Sequence, residues 1–305
     1  FLEAPDPRVV ADGYRRLAEI SAIDDKRTLT AIGRDLARLP IDVQLARMLV
    51  EARRLGCLRE LLTVVSFLSI QDPRERPADA RGQADAAHAV FADPKSDVLG
   101  VLNLWRAYHA ASEELTQSKL RDWCSRHFLS FLRMREWREL HRQLLLVVDE
   151  MGWSSREGSA VEATTGDQVT APPQGRGRPS RAEAGRPARR GGKPEKGQGG
   201  ATVQIRGRRP SVPDKASPAP VDDEVAASRL FEAIHRSLLA GLPTQVGRKD
   251  EKGVFRSTRE RKFQVFPGSA LAKLPPNWVF AAQILDVGGK VWGMMCARVE
   301  PQWIE

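Results

Sequence analysis

The chain has 305 residues, a formal net charge of +9 and a pI near 9.8. That length suits two or three domains, and the charge suggests a polyanion partner. No run approaches the roughly 18 apolar residues of a membrane span, so no membrane partner is expected. The first residues, FLEAPDPRVVADGYRR, are too acidic and too poor in apolar side chains for a secretory signal. Cys57, Cys124 and Cys296 are odd in number and far apart. They define no disulfide framework or zinc motif and point to a reducing, cytoplasmic setting.

Residues 1–153 read as helices. Asp6 before Pro7 is an N-cap followed by a first-turn proline, and Val10, Tyr14 and Leu17 then recur at helical spacing. TAIGRDLARLP is a short helix capped by Thr30 and stopped at Pro40. The next begins near Asp42, turns Leu45, Met48 and Leu49 inward and ends at Gly56. CLRELLTVVSFLSI is apolar on most faces and belongs at the centre of a bundle. SIQDPRERP (69–77) reads as a salt-bridged turn. Ser96 caps another helix, and 118–152 holds one or two more.

From Ser154 to Val221 thirteen Lys/Arg stand against six Asp/Glu, so most of the net charge lies there. PPQGRGRPSRAEAGRPARRGGKPEKGQGG contains no aromatic residue and no leucine, too little to offset chain entropy by burial. A disordered basic linker is expected, either simply solvated or holding RNA phosphates loosely.

EVAASRLFEAIHRSLLAGL then reads as a helix ending at Gly241. Strand-like segments follow around Val246, at 254–256, 262–266, 278–287 and 291–299, with Gly288-Gly289 as a two-residue hairpin turn. Five short strands in this space suggest a small closed barrel, an OB-fold or an SH3-like barrel.

Catalytic signatures are missing. There is no GxxxxGK[ST] phosphate cradle and no Gly-x-Ser-x-Gly elbow. His88, His109, His127, His141 and His235 have no partner at ligand spacing, so they read as packed or surface histidines and no metal is expected. What remains is VGRKDEKGVFRSTRERKFQVF. There Arg248, Lys249, Lys252, Arg256, Arg259, Arg261 and Lys262 are interleaved with Phe255 and Phe263. Cations on a small barrel are expected either to form a groove for single-stranded nucleic acid or only to keep the surface soluble. The two rings are expected in the barrel core.

The blocks PDPRVVADGYRRLAEI, LTAIGRDLARLPIDVQLARML, GCLRELLTVVSFLSIQDPRERP, DPKSDVLGVLNLW, FLSFLRMREWRELHRQL and FPGSALAKLPPNWVFAAQI…WGMMCARVEPQWIE occur in this order. In them the chain resembles the region following the motor domains of a DEAH-box RNA helicase of the bacterial HrpA-like branch. The resemblance covers 1–153 and 224–305. It implies a winged-helix-like part (1–55), a ratchet-like helical bundle (56–153), a disordered basic linker (154–222) and an OB-fold (223–305). It also implies part of a channel for single-stranded RNA, coupled to an ATPase motor in the same polypeptide or in trans. ATP and magnesium belong to the parent. This chain, read as a fragment without Walker lysine or Asp-Glu-Ala-His box, is expected to hold no cofactor and to be inactive alone. The alternative is a non-catalytic scaffold that docks a motor or activator, with RNA affinity mainly in the linker. Phe266, Pro267, Gly268, Ser269, Leu271 and Leu274 are the expected interdomain docking residues. Leu271 and Leu274 could instead fold over the barrel mouth.

Overall fold

The computed structural model describes residues 6–153 and 221–305, apart from Lys252, Arg259, Glu260 and Glu305, with Val221 and Asp222 as backbone only. Residues 154–220, nearly all of the expected basic linker, lie outside the described residues.

Local chemistry sets the helix ends. Asp6 accepts from the Arg8 amide at 2.8 Å to start α1 (Pro7–Glu19). Thr30 caps α2 (Ala31–Leu36) through the Gly33 amide. Asp42 caps α3 (Val43–Leu55), and Gly56 ends it at φ 75°, where a side chain would be strained. Helix α4 (Leu58–Leu68) is buried from Leu61 to Phe67. Helix α5 (Arg81–Ala89) follows, and only Ala84 of it is buried, so no apolar stripe announces it in the sequence. Helices α6 (Asp97–Glu114), α7 (Gln117–Arg126) and α8 (Phe131–Glu150) complete the bundle. Trp137 of α8 is fully buried. Its indole N–H donates to the Thr63 carbonyl at 3.0 Å and to Ser66 Oγ at 3.1 Å, which satisfies the polar end of a large apolar ring. Helix α9 (Val221–Gly241) returns to pack along α3, and Ser237 Oγ lies 3.5 Å from Cys57 Sγ.

Five strands follow: β1 (Val246–Lys249), β2 (Phe255–Ser257), β3 (Lys262–Val265), β4 (Trp278–Val287) and β5 (Lys290–Arg298). They close into a barrel in the order β1-β2-β3-β5-β4, antiparallel throughout except for the β3–β5 pair. The interior holds Phe255, Phe263, Leu271, Val279, Ala281 and Cys296. Phe263 fills its middle. A Cβ built on Gly247 or Gly293 would come within 2.8 Å of the Phe263 ring, so only glycine lets the strands close around it.

The first half of β4 is apolar on both faces, and both are covered. Val279 and Ala281 face the barrel interior, whereas Phe280 and Ala282 join the helical core, as do Ala297 and Val299 of β5 and its end. The join centres on the start of α6. Asp97 accepts from the Ala270 amide at 2.9 Å through Oδ1 and from the Cys296 amide at 2.8 Å through Oδ2. Burial pushes its pKa up, against the hydrogen bonds from Ser269, Ala270 and Cys296 that favour the carboxylate. The neighbouring Ser96 donates to His235 Nε2 at 2.8 Å, because His235 Nδ1 is committed to the Phe231 carbonyl at 2.6 Å. Ser96 also bridges Ala297, and Lys95 accepts from the Arg298 amide. One helix start thus holds α9 and two segments of the barrel.

Replacing Asp97 with Ala leaves two part-buried amides without an acceptor. A loss of about 2–6 kcal/mol is expected at roughly 1–3 kcal/mol per group. Chemical denaturation checks this, and a change below about 1 kcal/mol would refute the anchoring role.

Acid should loosen the same helices. Burial lowers the pKa of His235 to about 4. His141 packs 4.7 Å from Trp105 and is held at about 4 by burial, with His109 and Arg59 adding to the effect. A free imidazole titrates near 6.5, so between about pH 6.5 and 4 the unfolded chain binds more protons than the folded one. Stability from these groups is complete above that window and falls as pH drops through it. The melting temperature should fall more steeply from pH 6.5 to 4 in the wild type than in His141→Gln. Parallel curves would sink the assignment.

Candidate nucleic-acid interface

Strand alternation decides which members of the basic stretch face out. In β1–β3, Gly247, Phe255 and Phe263 point inward, and Arg248, Arg256 and Lys262 point to solvent. The register then aligns them. Arg248 pairs with Arg256 across β1–β2, and Arg256 pairs with Lys262 across β2–β3. Three cations therefore stand side by side on three adjacent strands, about 5 Å apart at the backbone. Like charges directly opposite one another oppose sheet formation. Arg256 Nε lies 3.7 Å from Asp250 Oδ2, a long contact with a solvent-exposed guanidinium that offsets little of this. On its other side Arg248 pairs with Trp278 of β4, its guanidinium 6.0 Å from the ring centroid.

The remaining cations are placed differently. Lys249 is half-buried, and its Nζ donates to the Pro275 carbonyl at 3.3 Å. Arg261 is exposed and lines a polar cleft of about 270 Å³ with Arg15, Arg16 and Glu19 of α1. Lys252 and Arg259 lie outside the described residues. Phe255 and Phe263 stack on each other inside the barrel at 5.6 Å. The aromatic ring against the cation row is instead Trp278, distant in sequence and brought in by strand pairing.

The FPGS loop meets the bundle through its first residues. Phe266 lies 5.7 Å beneath the Arg76 guanidinium. Pro267 is exposed at the turn, and a Cβ on Gly268 would stand 2.8 Å from Arg76 Nη1. Ser269 Oγ accepts from the Leu271 amide, and the Ser269 side chain also hydrogen-bonds Asp97. Leu271, 2% exposed, plugs the barrel's own core, and Leu274 is 89% exposed. Leu271 packs within the barrel because the short turn at Ala270–Ala272 aims it there.

The segment read as a salt-bridged turn does more than that. Arg74 is paired with Asp72 through both oxygens and extends to Met295 Sδ at 3.3 Å. Arg76 pairs with Asp85 at 2.7 Å while covering Phe266. QDPRERP is thus a strap from bundle to barrel. Its dense charge was the only signal in the sequence, and charge alone names no partner.

Among the described residues no group of three or more His, Cys, Asp or Glu could hold a metal ion, and no helix is long and apolar enough to cross a membrane. The three cysteines are free and buried. Burial pushes the thiols of Cys57 and Cys124 up to about 11 and that of Cys296 higher still, so none is poised as a nucleophile.

The comparisons with known proteins agree with this geometry. Residues 42–129 match the family described as helicase associated domain (HA2), ratchet-like, and residues 234–305 match the oligonucleotide/oligosaccharide-binding (OB)-fold. Over its whole length the chain is 33% identical to the ATP-dependent RNA helicase HrpA homolog of Haemophilus influenzae and 33% identical to the ATP-dependent RNA helicase HrpA of Escherichia coli. In sequence this chain is similar to a region of the HrpA-type RNA helicases. It spans 19% and 18% of the lengths of those two relatives. Over 49% of the chain it is also 30% identical to the pre-mRNA-splicing factor ATP-dependent RNA helicase prp22 of Schizosaccharomyces pombe, of which it covers 12%. The closed barrel is thus an OB-fold.

If the cation row serves a ligand rather than the fold, removing its central member should not weaken the barrel. Arg256→Gln is expected to change unfolding free energy by less than about 0.5 kcal/mol, with any gain greatest at low salt. A loss above 1 kcal/mol would show that Arg256 is structural.

Proposed function

We propose that this chain is the RNA-guiding accessory region of an ATP-driven RNA helicase. It would form part of the path of a single strand and couple it to an ATPase motor. The observation that carries this reading is the in-register row Arg248, Arg256 and Lys262, three mutually repelling cations on one outer face of an OB-fold. A phosphate backbone relieves that repulsion without any need for base identity, so binding would be largely independent of sequence. Lys249, Lys252, Arg259 and Arg261 of the same basic stretch are proposed as further phosphate contacts, and the exposed Arg261 lies toward α1. The division into a winged-helix-like part (1–55), a ratchet-like bundle (56–153), a linker (154–222) and an OB-fold (223–305) is part of this reading, as is a cytoplasmic location. The relatives named as ATP-dependent support assigning ATP, with magnesium, to the motor.

Single-strand affinity should fall with salt at a log–log slope of about −0.7 per phosphate neutralised. The triple variant Arg248→Ala, Arg256→Ala, Lys262→Ala should therefore bind an oligoribonucleotide more weakly, with the slope flattened by about 2. A salt titration by fluorescence anisotropy checks this. An unchanged slope would move RNA contact to another face.

One observation favours the scaffold alternative. Helix α1 is strongly amphipathic yet has no buried residue, and Val9, Val10 and Tyr14 of its apolar side are exposed. Such a face suits docking to a motor. The two roles occupy different surfaces, and the triple variant separates them, because docking through α1 would survive it.

A further inference from the structure

We propose that Trp292, with Leu285 beside it, is a base-stacking platform for single-stranded nucleic acid on the outer face of the barrel. The inference rests on the phosphate-track reading above and adds the bases to it.

Lys262 and Gln264 share the outer face of β3, because the intervening Phe263 points inward. Gln264 pairs with Trp292 across the parallel β3–β5 contact, and Trp292 pairs with Leu285 across β5–β4. Paired residues share a face, so Trp292 and Leu285 continue the surface that carries Arg248, Arg256 and Lys262. From Lys262 to Trp292 is one strand across and two residues along, about 8 Å at the backbone.

Neither residue belongs to the barrel's interior. Gly293, the inward neighbour of Trp292, faces the Phe263 ring. Leu285 is 46% exposed and Val287, two positions on, is 61% exposed. They project on a hairpin paired up to Val287–Lys290, so they are held by a full ladder rather than by a loose loop. The Trp292 ring is fixed from one side. Phe266 meets it edge-on at 6.1 Å and 89°, and Arg76 covers Phe266 in turn. A ring oriented by its neighbours loses little freedom when a base stacks on it.

An exposed apolar surface alone would suit a protein as well as a base. The adjoining cations decide for a polyanion that also carries flat apolar faces, which is a single strand with its bases splayed. Stacking is tolerant of sequence, as a translocating strand requires.

The test is the affinity of the full chain for end-labelled oligouridylate by anisotropy, at several salt concentrations. The proteins are wild type, Trp292→Phe and Trp292→Leu, each first checked by thermal melting. Trp292→Leu should bind about 5- to 150-fold more weakly with an unchanged salt slope. Trp292→Phe should recover most of the affinity. Should Trp292→Leu not fold, Leu285→Ser on the exposed side of the platform should show a smaller loss, again without change of slope. Wild-type affinity in Trp292→Leu would overturn the platform alone. So would a flattened slope, which would mean that the ring positions the cations. If Leu285→Ser stands in for it, wild-type affinity or a flattened slope in that variant would overturn the platform likewise. A Phe variant as weak as the Leu variant would also overturn it. No binding by the wild type would overturn the phosphate track and the platform together.

Discussion

The structure turns on one half-buried carboxylate. Asp97 sits in the first turn of α6, where the helix dipole favours a negative charge, and accepts amides from two parts of the barrel. The Arg74 guanidinium adds a favourable field to it. The hydroxyl and imidazole of Ser96 and His235 bring in α9 at the same place. Without this node the apolar outer faces of β4 and β5 would still tend to bury, with far fewer polar contacts to fix how. Apolar burial supplies most of the drive for association, and hydrogen bonds select one geometry among many.

That fixed geometry is what gives the barrel surface a meaning. A β-barrel this small is filled by its own side chains, here two phenylalanines and Leu271, and has no interior for a ligand. Any binding has to use the outside. Part of the outside is spent on the bundle by Phe280, Ala282, Ala297 and Val299. The cation row and the Trp292 hairpin are what the remainder offers, next to each other and on strands of one closed ladder.

Much of this was legible in the residues. Caps at Asp6, Thr30 and Ser96 placed three helices, because a side chain that satisfies orphan amides is a local event. Alternation and Gly288-Gly289 placed the strands to within a few residues. Helix α5 was not legible, since it buries one alanine and has no stripe to read. The interface was legible only in part. The basic stretch was visible as composition, but which cations align depends on register, which is a property of paired strands rather than of either alone. The phenylalanines nearest in sequence point inward, as their place in the strand pattern suggests, whereas the tryptophans that share the outer face come from strands well downstream and are brought in only by pairing. The strap at 71–77 and Asp97 were invisible as a pair because their partners lie across the chain.

The two-point attachment of Asp97 has a mechanical consequence. A single hydrogen bond between two bodies is a pivot about which one can turn. Two, made by separate oxygens of one rigid group to separate segments, resist rotation about the line joining the bodies. The Arg76–Phe266 contact adds a third point off that line. Torque applied at the barrel surface is therefore passed to α6 and through it to the helices packed on it, with little lost to swivelling at the joint.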